Sequence, residues 1–443
     1  MWVWLLVGVV SGERRFVDMA YIEDPWSRYG ATVLRSSPRR MAVNGFNPSI
    51  APLPRSAEAP AGARYVGTFR SKGRACAQLL RTPRHDDTRG GGPGAAASGS
   101  KTQTRAAMLD AELRVVAPLL SKGQQGNGTT TTHDLLREDV RLRRFRKGDE
   151  DVLLATAVQF KHVGRLHKWQ MFFDVLEVDL KARGGWHWDW FAHADVTFAR
   201  LVDQGKNLGL LWDGDSREAS RFRVFYWHRE RADVRRGLPR PPPTRAVEGS
   251  RPILGYGRKP LMNNGNPVRL RSAPGLLLTV GHVHLDDAPN GRYGHYNATP
   301  HGNTYLNYFV FYADDYDHPN DDDGLLFVKR SPAFCFPSLD DDPTAGTTTK
   351  TCETIQFVMT LLPSFDDDDK NKHKNDETLL ITYGVNDCDS AHVTLDVEAV
   401  LNFTFAADDS PDFQSPLLDK EAKATTTTTQ RRRRRRESPS PPP

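Results

Sequence analysis

The feature that most constrains the fold is a series of short apolar segments with β-strand composition. Each is 7–12 residues long, rich in Val, Leu, Phe and Tyr, and bounded by turn-forming residues. Many short strands with turns at regular intervals are typical of an all-β sandwich, barrel or propeller. The segments cover residues 63–71, 151–160, 169–180, 206–212, 221–228, 275–284, 305–313, 353–362, 377–385 and 392–401.

Only one stretch, residues 105–116, has a pattern that also suits a helix, and it fits two short strands equally well. Polar stretches of low complexity separate the apolar segments, notably residues 88–107, 126–134 and the proline-rich 235–252. A propeller tolerates such insertions best, because its hairpin loops project from a face without disturbing the packing of the blades. The pattern therefore favours a propeller.

Composition and charge indicate a folded domain that is interrupted by polar insertions. Hydrophobic residues make up 38% of the chain, and the formal net charge is +5. Six positive charges lie in the run Arg431–Arg436, so the remainder is near −1 and has no nucleic-acid-binding signature. The tail beyond Leu418 is expected to be disordered, and its arginine run is solvated, contacts an acidic partner or directs nuclear import.

The cysteines and the N-terminus leave the cellular compartment open. The four cysteines contain no C-x-x-C pair, and Cys335 and Cys352 either bridge the polar loop between them or remain as free buried thiols. The apolar run Trp2–Val10 is too short to span a bilayer but long enough for the core of a signal peptide, although no basic residue precedes it. A buried first strand is an alternative. The protein is either secreted or cytoplasmic.

One cluster of charges suggests catalysis. Residues 137–142, REDVRL, place Asp139 beside Arg141, which fits a general acid next to an anion-binding group, although a surface ion pair has the same pattern. Lys206 begins an apolar segment, where its charge can meet a phosphate or simply be solvated. His282 and His284 alternate along a strand and so share a face, but no third metal ligand follows at a diagnostic spacing, so no metal is expected.

Three polar residues lie where a ligand can approach the main chain. Asn47 precedes a proline, which forces an extended or turn conformation on it. Gly265 lies before Asn266-Pro267 and allows close approach of the backbone to a ligand. Asp387 follows the segment 377–385 in a turn, where a carboxylate binds sugar hydroxyls or caps its own backbone.

Taken in order, these elements resemble glycoside hydrolase family 130, the inverting mannoside phosphorylases and their relatives. The resemblance rests on the Glu-Asp-x-Arg element at 138–141, Lys206-Asn207, Gly265-Asn266-Pro267 before an apolar strand that ends in histidine, and Tyr383-Gly384-x-x-Asp387. It spans roughly residues 44–405. It implies a five-bladed β-propeller, expected at residues 40–410, between an N-terminal segment 1–39 and a disordered tail 411–443.

The resemblance also implies a role for each site residue. Asp139 is the catalytic acid. Asn47, Asn266 and Asp387 bind the sugar. No cofactor is implied, and the partners are a carbohydrate with phosphate or a nucleotide sugar, without nucleic acid or a transmembrane helix. The phosphate side is formed by Arg141, Arg165, Lys206 and His282.

The sequence departs from the family pattern at three places, one of which is residues 263–267, Asn-Asn-Gly-Asn-Pro, in place of a Gly-Gly-x-Pro-like run. Val140 replaces the proline of the Glu-Asp-Pro-Arg motif. Asn47 stands where a related hydrolase pattern has aspartate, and because an amide is not a general base, hydrolysis by two carboxylates is not expected. Three activities remain open: phosphorolysis, glycosyl transfer from a nucleotide sugar, and non-catalytic binding of glycans or proteins. The sugar and the oligomeric state are not indicated by the sequence.

Overall fold

The protein is described from a computed structural model, which is built almost wholly of β-strands. The prediction of a strand-based chain is therefore confirmed where the chain is described. Two strands, β5 (Thr104–Leu109) and β6 (Val115–Ser121), overlap the ambiguous stretch 105–116. The structure describes residues 31–34, 36–43, 45–55, 57–70, 104–121, 137–147, 150–163, 168–182, 186–198, 209–212, 222–225, 228, 231–232, 235–236, 251–286, 303–313, 325–339, 352–353, 355–364, 377–386 and 388–405.

The first large sheet consists of two antiparallel four-stranded meanders. Its strand order is β3-β4-β5-β6-β10-β9-β8-β7, and a short parallel pairing of β6 with β10 joins the two meanders. The first meander is β3 (Phe46–Pro52), β4 (Tyr65–Arg70), β5 (Thr104–Leu109) and β6 (Val115–Ser121), and the second is β7 (Arg137–Lys147), β8 (Glu150–Val163), β9 (Lys168–Ala182) and β10 (Trp186–Phe198).

The second large sheet is built around the long antiparallel pair β17 and β18, whose register runs from Leu276 opposite Ala313 to Asp286 opposite Asn303. Four other strands pair with this hairpin directly, whereas β13 joins it through β19 and β1 through β20. The members are β1 (Ala31–Val33), β13 (Arg231–Ala232), β15 (Met262–Asn263), β16 (Val268–Arg269), β17 (Leu276–Asp286), β18 (Asn303–Ala313), β19 (Leu325–Arg330) and β20 (Ala333–Cys335).

Two smaller sheets complete the described structure. One has the order β11-β12-β14, and the other has the order β2-β23-β22-β21. Because β1 pairs with β20 and β2 with β23, the N-terminal strands are tied to the C-terminal half of the chain, and the boundary predicted at residue 40 falls within β2. The members are β2 (Arg39–Arg40), β11 (Gly209–Trp212), β12 (Phe222–Phe225), β14 (Arg235–Arg236), β21 (Gln356–Pro363), β22 (Thr378–Val385) and β23 (Asp389–Asp396).

One α-helix, α1 (Val397–Phe405), ends the described chain, in a stretch for which the sequence predicted a strand. The strand β23 stops at Asp396 because that side chain caps the helix, accepting hydrogen bonds from the main-chain N–H groups of Glu398 and Ala399. The helix packs Val397 and Val400 into the largest apolar core, which lies between the sheet of β17 and β18 and the sheet of β21–β23.

A closed sequence of contacts links strands from three sheets. The Ser49 hydroxyl on β3 accepts from the Leu142 N–H on β7 at 2.8 Å, and it lies 3.2 Å from the Thr360 hydroxyl on β21. Strand β7 in turn contacts the segment between β15 and β16, where Gly265 lies against the main chain of Met359 on β21. The candidate site is built along this ring of strands.

Candidate functional site

Asp139 lies in a β-bulge with an uncommon backbone conformation. The register of β7 against β8 shifts between Glu138 and Arg141, and Asp139 has φ of +49°. Asn47 repeats this arrangement in β3, with φ of +50° in the bulge between Phe46 and Ser49. Asn and Asp enter the left-handed region more readily than other side chains, and bulges re-aim side chains next to functional sites.

The two bulges bring a carboxylate and an amide together. The Asn47 Nδ2 donates a hydrogen bond to Asp139 Oδ1 at 3.0 Å. Arg70, the last residue of β4, donates from Nη1 to the same oxygen at 3.3 Å and lies over the ring of Phe46. Because Asp139 is only 6% exposed, these donors fix the orientation of a buried carboxyl group. The sequence analysis missed Arg70, whose only signal is its position at a strand end.

Asn47 is held in place from a second direction by Gly384 of β22. A Cβ atom at Gly384 would lie 2.0 Å from Asn47 Oδ1, so the site requires glycine at this position. The Thr382 hydroxyl donates to the Pro48 carbonyl at 2.6 Å and ties the same two strands together. Asn47 Oδ1 is buried and has no hydrogen-bond partner among the described residues.

Arg141 is completely buried on the same face of β7 as Asp139. Its Nε donates to the Asn264 carbonyl at 2.9 Å, and its Nη1 donates to the Asp139 main-chain carbonyl at 3.3 Å. The guanidinium carbon lies 5.5 Å from the ring centroid of Phe357. Burial lowers the pKa of Arg141 to about 10, and the charge of Asp139 opposes that shift.

A second, partly buried arginine follows two residues along the strand. Desolvation, together with repulsion from Arg269, lowers the pKa of Arg143 to about 9. Its Nη1 donates to the Pro267 carbonyl. This face of β7 therefore brings two cations, Arg141 and Arg143, to the segment between β15 and β16, where both donate to main-chain carbonyls.

His282 lies on β17 in an aromatic environment next to Arg141. Its ring centroid is 4.9 Å from that of Tyr305 and 5.6 Å from that of Phe357. Burial, together with the charges of His284, His228 and Arg141, lowers the pKa of His282 to about 3, so the imidazole is neutral at pH 7. Its Nδ1 has no hydrogen-bond partner among the described residues.

The structure thus connects four of the predicted site residues. Asn47 contacts Asp139, Asp139 contacts Arg141, and Arg141 and His282 both contact the ring of Phe357. Asn266 is buried in the segment between β15 and β16, two residues from the Asn264 carbonyl that receives Arg141. The other predicted site residues, Arg165, Lys206 and Asp387, lie outside the described residues.

The turn beside Asp387 is partly described. Asn386 has φ of +50°, and its side chain accepts from the Ile355 N–H at 3.1 Å and donates to Glu353 at 2.6 Å. A disulfide joins the neighbouring Cys352 to Cys335, which decides between the two alternatives that the sequence left open.

The described ranges contain neither a cluster of metal ligands nor a membrane-spanning helix. They contain no group of three or more His, Cys, Asp or Glu side chains placed to hold a metal ion. No helix within these ranges is long and apolar enough to cross a bilayer.

Comparison by sequence gives no assignment. No protein-family profile matches the chain. No curated protein matches it either.

Comparison by structure returns glycoside hydrolases and mannoside phosphorylases, the class named by the sequence resemblance. A glycosyl hydrolase from Bacteroides ovatus is 14% identical, with 81% of this chain and 86% of that chain covered and a TM-score of 0.42. A mannose phosphorylase from Leishmania mexicana in complex with phosphate ion is 11% identical, with 84% and 90% covered and a TM-score of 0.38.

A β-1,2-mannobiose phosphorylase from Listeria innocua, in complex with its disaccharide, is 13% identical, with 83% and 92% covered and a TM-score of 0.39. At these identities and TM-scores the matches do not assign this chain to a family. The function proposed below therefore rests on the side chains of the site.

Proposed function

We propose that this protein is a carbohydrate-active enzyme, an inverting glycoside phosphorylase that acts on a mannoside or a similar glycoside. The observation that carries the proposal is the setting of Asp139: a buried carboxyl group on a left-handed bulge, held by Asn47 and Arg70, with buried Arg141 on the same strand face. Strained, polar and oriented by long-range contacts, this arrangement is typical of a catalytic group rather than of a surface ion pair.

In the proposed reaction Asp139 is the general acid. It gives its proton to the glycosidic oxygen, directly or through a sugar hydroxyl, while the bond from that oxygen to the anomeric carbon breaks. An oxygen of inorganic phosphate attacks the anomeric carbon from the opposite face of the ring. The products are a sugar 1-phosphate of inverted configuration and the shortened acceptor, and the acid recovers a proton from the solvent.

The phosphate side consists of Arg141 and His282, together with Arg165 and Lys206. Burial disfavours the charge on Arg141, so an incoming anion is stabilised there more strongly than at an exposed arginine. His282 takes part as a neutral imidazole, which can exchange hydrogen bonds with a phosphate oxygen or hydroxyl. Asn47, Asn266 and Asp387 bind hydroxyl groups of the sugar.

Phosphorolysis is favoured over hydrolysis because no second carboxylate faces Asp139 from β3. Asn47 occupies that position and donates to Asp139, and an amide does not activate water as a base. Phosphate needs no such base, since its dianion is itself the nucleophile.

The proposed domain is a five-bladed β-propeller over residues 40–410. The two four-stranded meanders, the β11-β12-β14 sheet, the β15–β19 strands and the β21–β23 sheet supply five groups of strands in chain order. The contacts through Ser49, Leu142, Gly265 and Thr360 join four of these five groups, and contacts of this kind are expected between the innermost strands of neighbouring blades.

A panel of sugar 1-phosphates and nucleotide sugars, each offered with simple sugar acceptors, tests the proposal. We expect release of inorganic phosphate from a sugar 1-phosphate, with mannose 1-phosphate first in the panel. If only a nucleotide sugar is turned over, the protein is a glycosyltransferase and the phosphorylase proposal is wrong. If glycans bind but no donor is turned over, the protein is a binding module and the proposal of an enzyme is wrong.

A further inference from the structure

A chain of buried amide side chains begins at the carbonyl that holds Arg141. Asn264 Nδ2 donates to Asn307 Oδ1 at 3.0 Å, and Asn307 Nδ2 donates to the Gln356 carbonyl at 3.1 Å. The Gln356 side chain then pairs twice with Phe336, accepting from its N–H at 2.7 Å and donating to its carbonyl at 2.6 Å. Asn264, Asn307 and Gln356, here called the amide chain, are all completely buried.

These contacts join elements that are far apart in sequence. Asn264 follows β15, Asn307 lies on β18, Gln356 begins β21, and Phe336 follows β20. A buried amide costs free energy when its donors and acceptors are unused, and Asn307 and Gln356 each use a donor and an acceptor in this chain. Asn264 is held by its Nδ2 alone, because its buried Oδ1 has no partner among the described residues. The bond to Asn307 therefore fixes the Asn264 side chain, while Arg141 binds the main-chain carbonyl of the same residue.

Arg141 connects Asn264 to Asp139 through two hydrogen bonds. One nitrogen of its guanidinium donates to Asn264 and another donates to the main-chain carbonyl of Asp139. The guanidinium is planar and rigid, so the two carbonyls are held at a set separation. Because Asp139 is in a left-handed conformation that the surrounding structure must maintain, a fixed carbonyl at this residue also sets the direction of its carboxyl group.

We infer that Asn307 is a positioning residue for the acid Asp139, acting through Asn264 and Arg141. The expected effect on kcat rests on the proposed function, whereas the expected effect on the position of Arg141 does not. Without the Asn307 side chain, Asn264 Nδ2 and the Gln356 carbonyl lose their partners, and Asn264 can turn away from the position that holds Arg141.

The test compares Asn307→Ala with Ser331→Ala in the full chain. Ser331 is a matched control because it is also completely buried and its hydroxyl accepts from the Phe309 N–H, two residues along β18 from Asn307, yet it lies outside the amide chain. Both variants lose a buried hydrogen bond beside the same strand. Only Asn307→Ala should lower kcat by about 10- to 100-fold, as a misplaced catalytic group does. The KM for phosphate should rise in Asn307→Ala as well, because the displaced Arg141 also belongs to the proposed phosphate side, and it should stay within about twofold in Ser331→Ala.

A second measurement does not depend on turnover. The Arg141 Nε–H, assigned by the loss of its NMR signal in Arg141→Lys, should exchange slowly with solvent in the wild type and in Ser331→Ala, and at least about tenfold faster in Asn307→Ala. Unchanged exchange in Asn307→Ala would overturn the inference whatever the kinetics. An equal loss of kcat in the two alanine variants would also overturn it. A wild type that turns over no donor would refute the proposed function and leave the exchange measurement to decide this inference.

Discussion

Asp139 and Asn47 form a carboxylate–amide pair in matching bulges, and the pair depends on the amide being a donor. Asn47→Asp replaces that donor with a second carboxylate about 3 Å away, and two such groups do not both ionise at neutral pH. We expect the basic limb of the kcat/KM profile to move up by at least about one pH unit. Asn47→Ala, which removes the donor without adding a charge, is the control. If the pKa of the basic limb of the kcat/KM profile is the same in Asn47→Asp as in the wild type, Asp139 is not the group that transfers the proton.

Gly384 is required by the position of Asn47. In Gly384→Ala the new methyl group would meet Asn47 Oδ1 at 2.0 Å, so the amide must move. We expect a loss of stability of about 1–3 kcal/mol, as for other overpacked sites, together with a fall in kcat. Gly265→Ala is a graded control, because its Cβ would lie 3.3 Å from the Met359 carbonyl. Equal urea midpoints for the two variants would contradict the tight packing of Asn47.

At this scale the sequence indicated only those candidate residues that carry a local signal. Asn47 precedes a proline, and Asp139 lies in a motif, so both could be recognised. Arg70 and Asn264 could not, because their importance comes from contacts with Asp139 and Arg141 that span 69 and 123 positions of the chain. The role of Arg141 was also incomplete from the sequence, which indicated an anion-binding group but not its two bonds to main-chain carbonyls.

At the scale of elements, Ser49 joins three strands at the ring of contacts. Its hydroxyl accepts from the buried Leu142 N–H of β7 and meets Thr360 of β21. Ser49→Ala leaves that N–H without its partner, which costs about 1–3 kcal/mol. Ser36→Ala is the control, since the Ser36 hydroxyl makes a single bond of 3.4 Å to a carbonyl two residues away. Chemical denaturation that finds equal losses for the two variants would show that the ring does not depend on Ser49.

The elements themselves were predictable where alternation and turn residues coincide, as in β17, β18 and β22. The prediction failed at the C-terminal end for a local reason. The stretch 392–401 was expected to be one strand, but Asp396, in the middle of this stretch, caps a helix that begins at Val397. Apolar composition alone does not distinguish a buried strand from a short helix. The pairing of β1 and β2 with C-terminal strands has no signal in either segment, because a two- or three-residue strand has no periodicity.

For the molecule as a whole, buried neutral histidines make stability depend on pH. Burial lowers the pKa of His228 and of His282 to about 3 in the folded state, while the unfolded chain takes up their protons near pH 6.5. The unfolded state therefore binds more protons between these values, and stability falls as the pH falls from about 6.5 towards 3. We expect a loss of roughly 2 kcal/mol per histidine between pH 7 and pH 5.

Urea unfolding at pH 7 and pH 5 measures this loss, with His228→Gln as the comparison because it removes one of three described histidines with a lowered pKa, the others being His282 and the partly buried His392. The variant is expected to be less stable at both values but to lose about a third less between them than the wild type. An identical loss in the variant and the wild type would show that His228 is not held in its neutral form.

The central claim is that Asp139 is the acid that cleaves a glycosidic bond with phosphate as the nucleophile. The most direct measurement is the release of phosphate from a sugar 1-phosphate and acceptor by the wild type and by Asp139→Asn, with sugar binding followed by calorimetry. The amide keeps the shape of the side chain but donates no acidic proton, so turnover should fall by at least about 100-fold while sugar affinity changes little. Asp139→Asn with wild-type turnover would contradict the account.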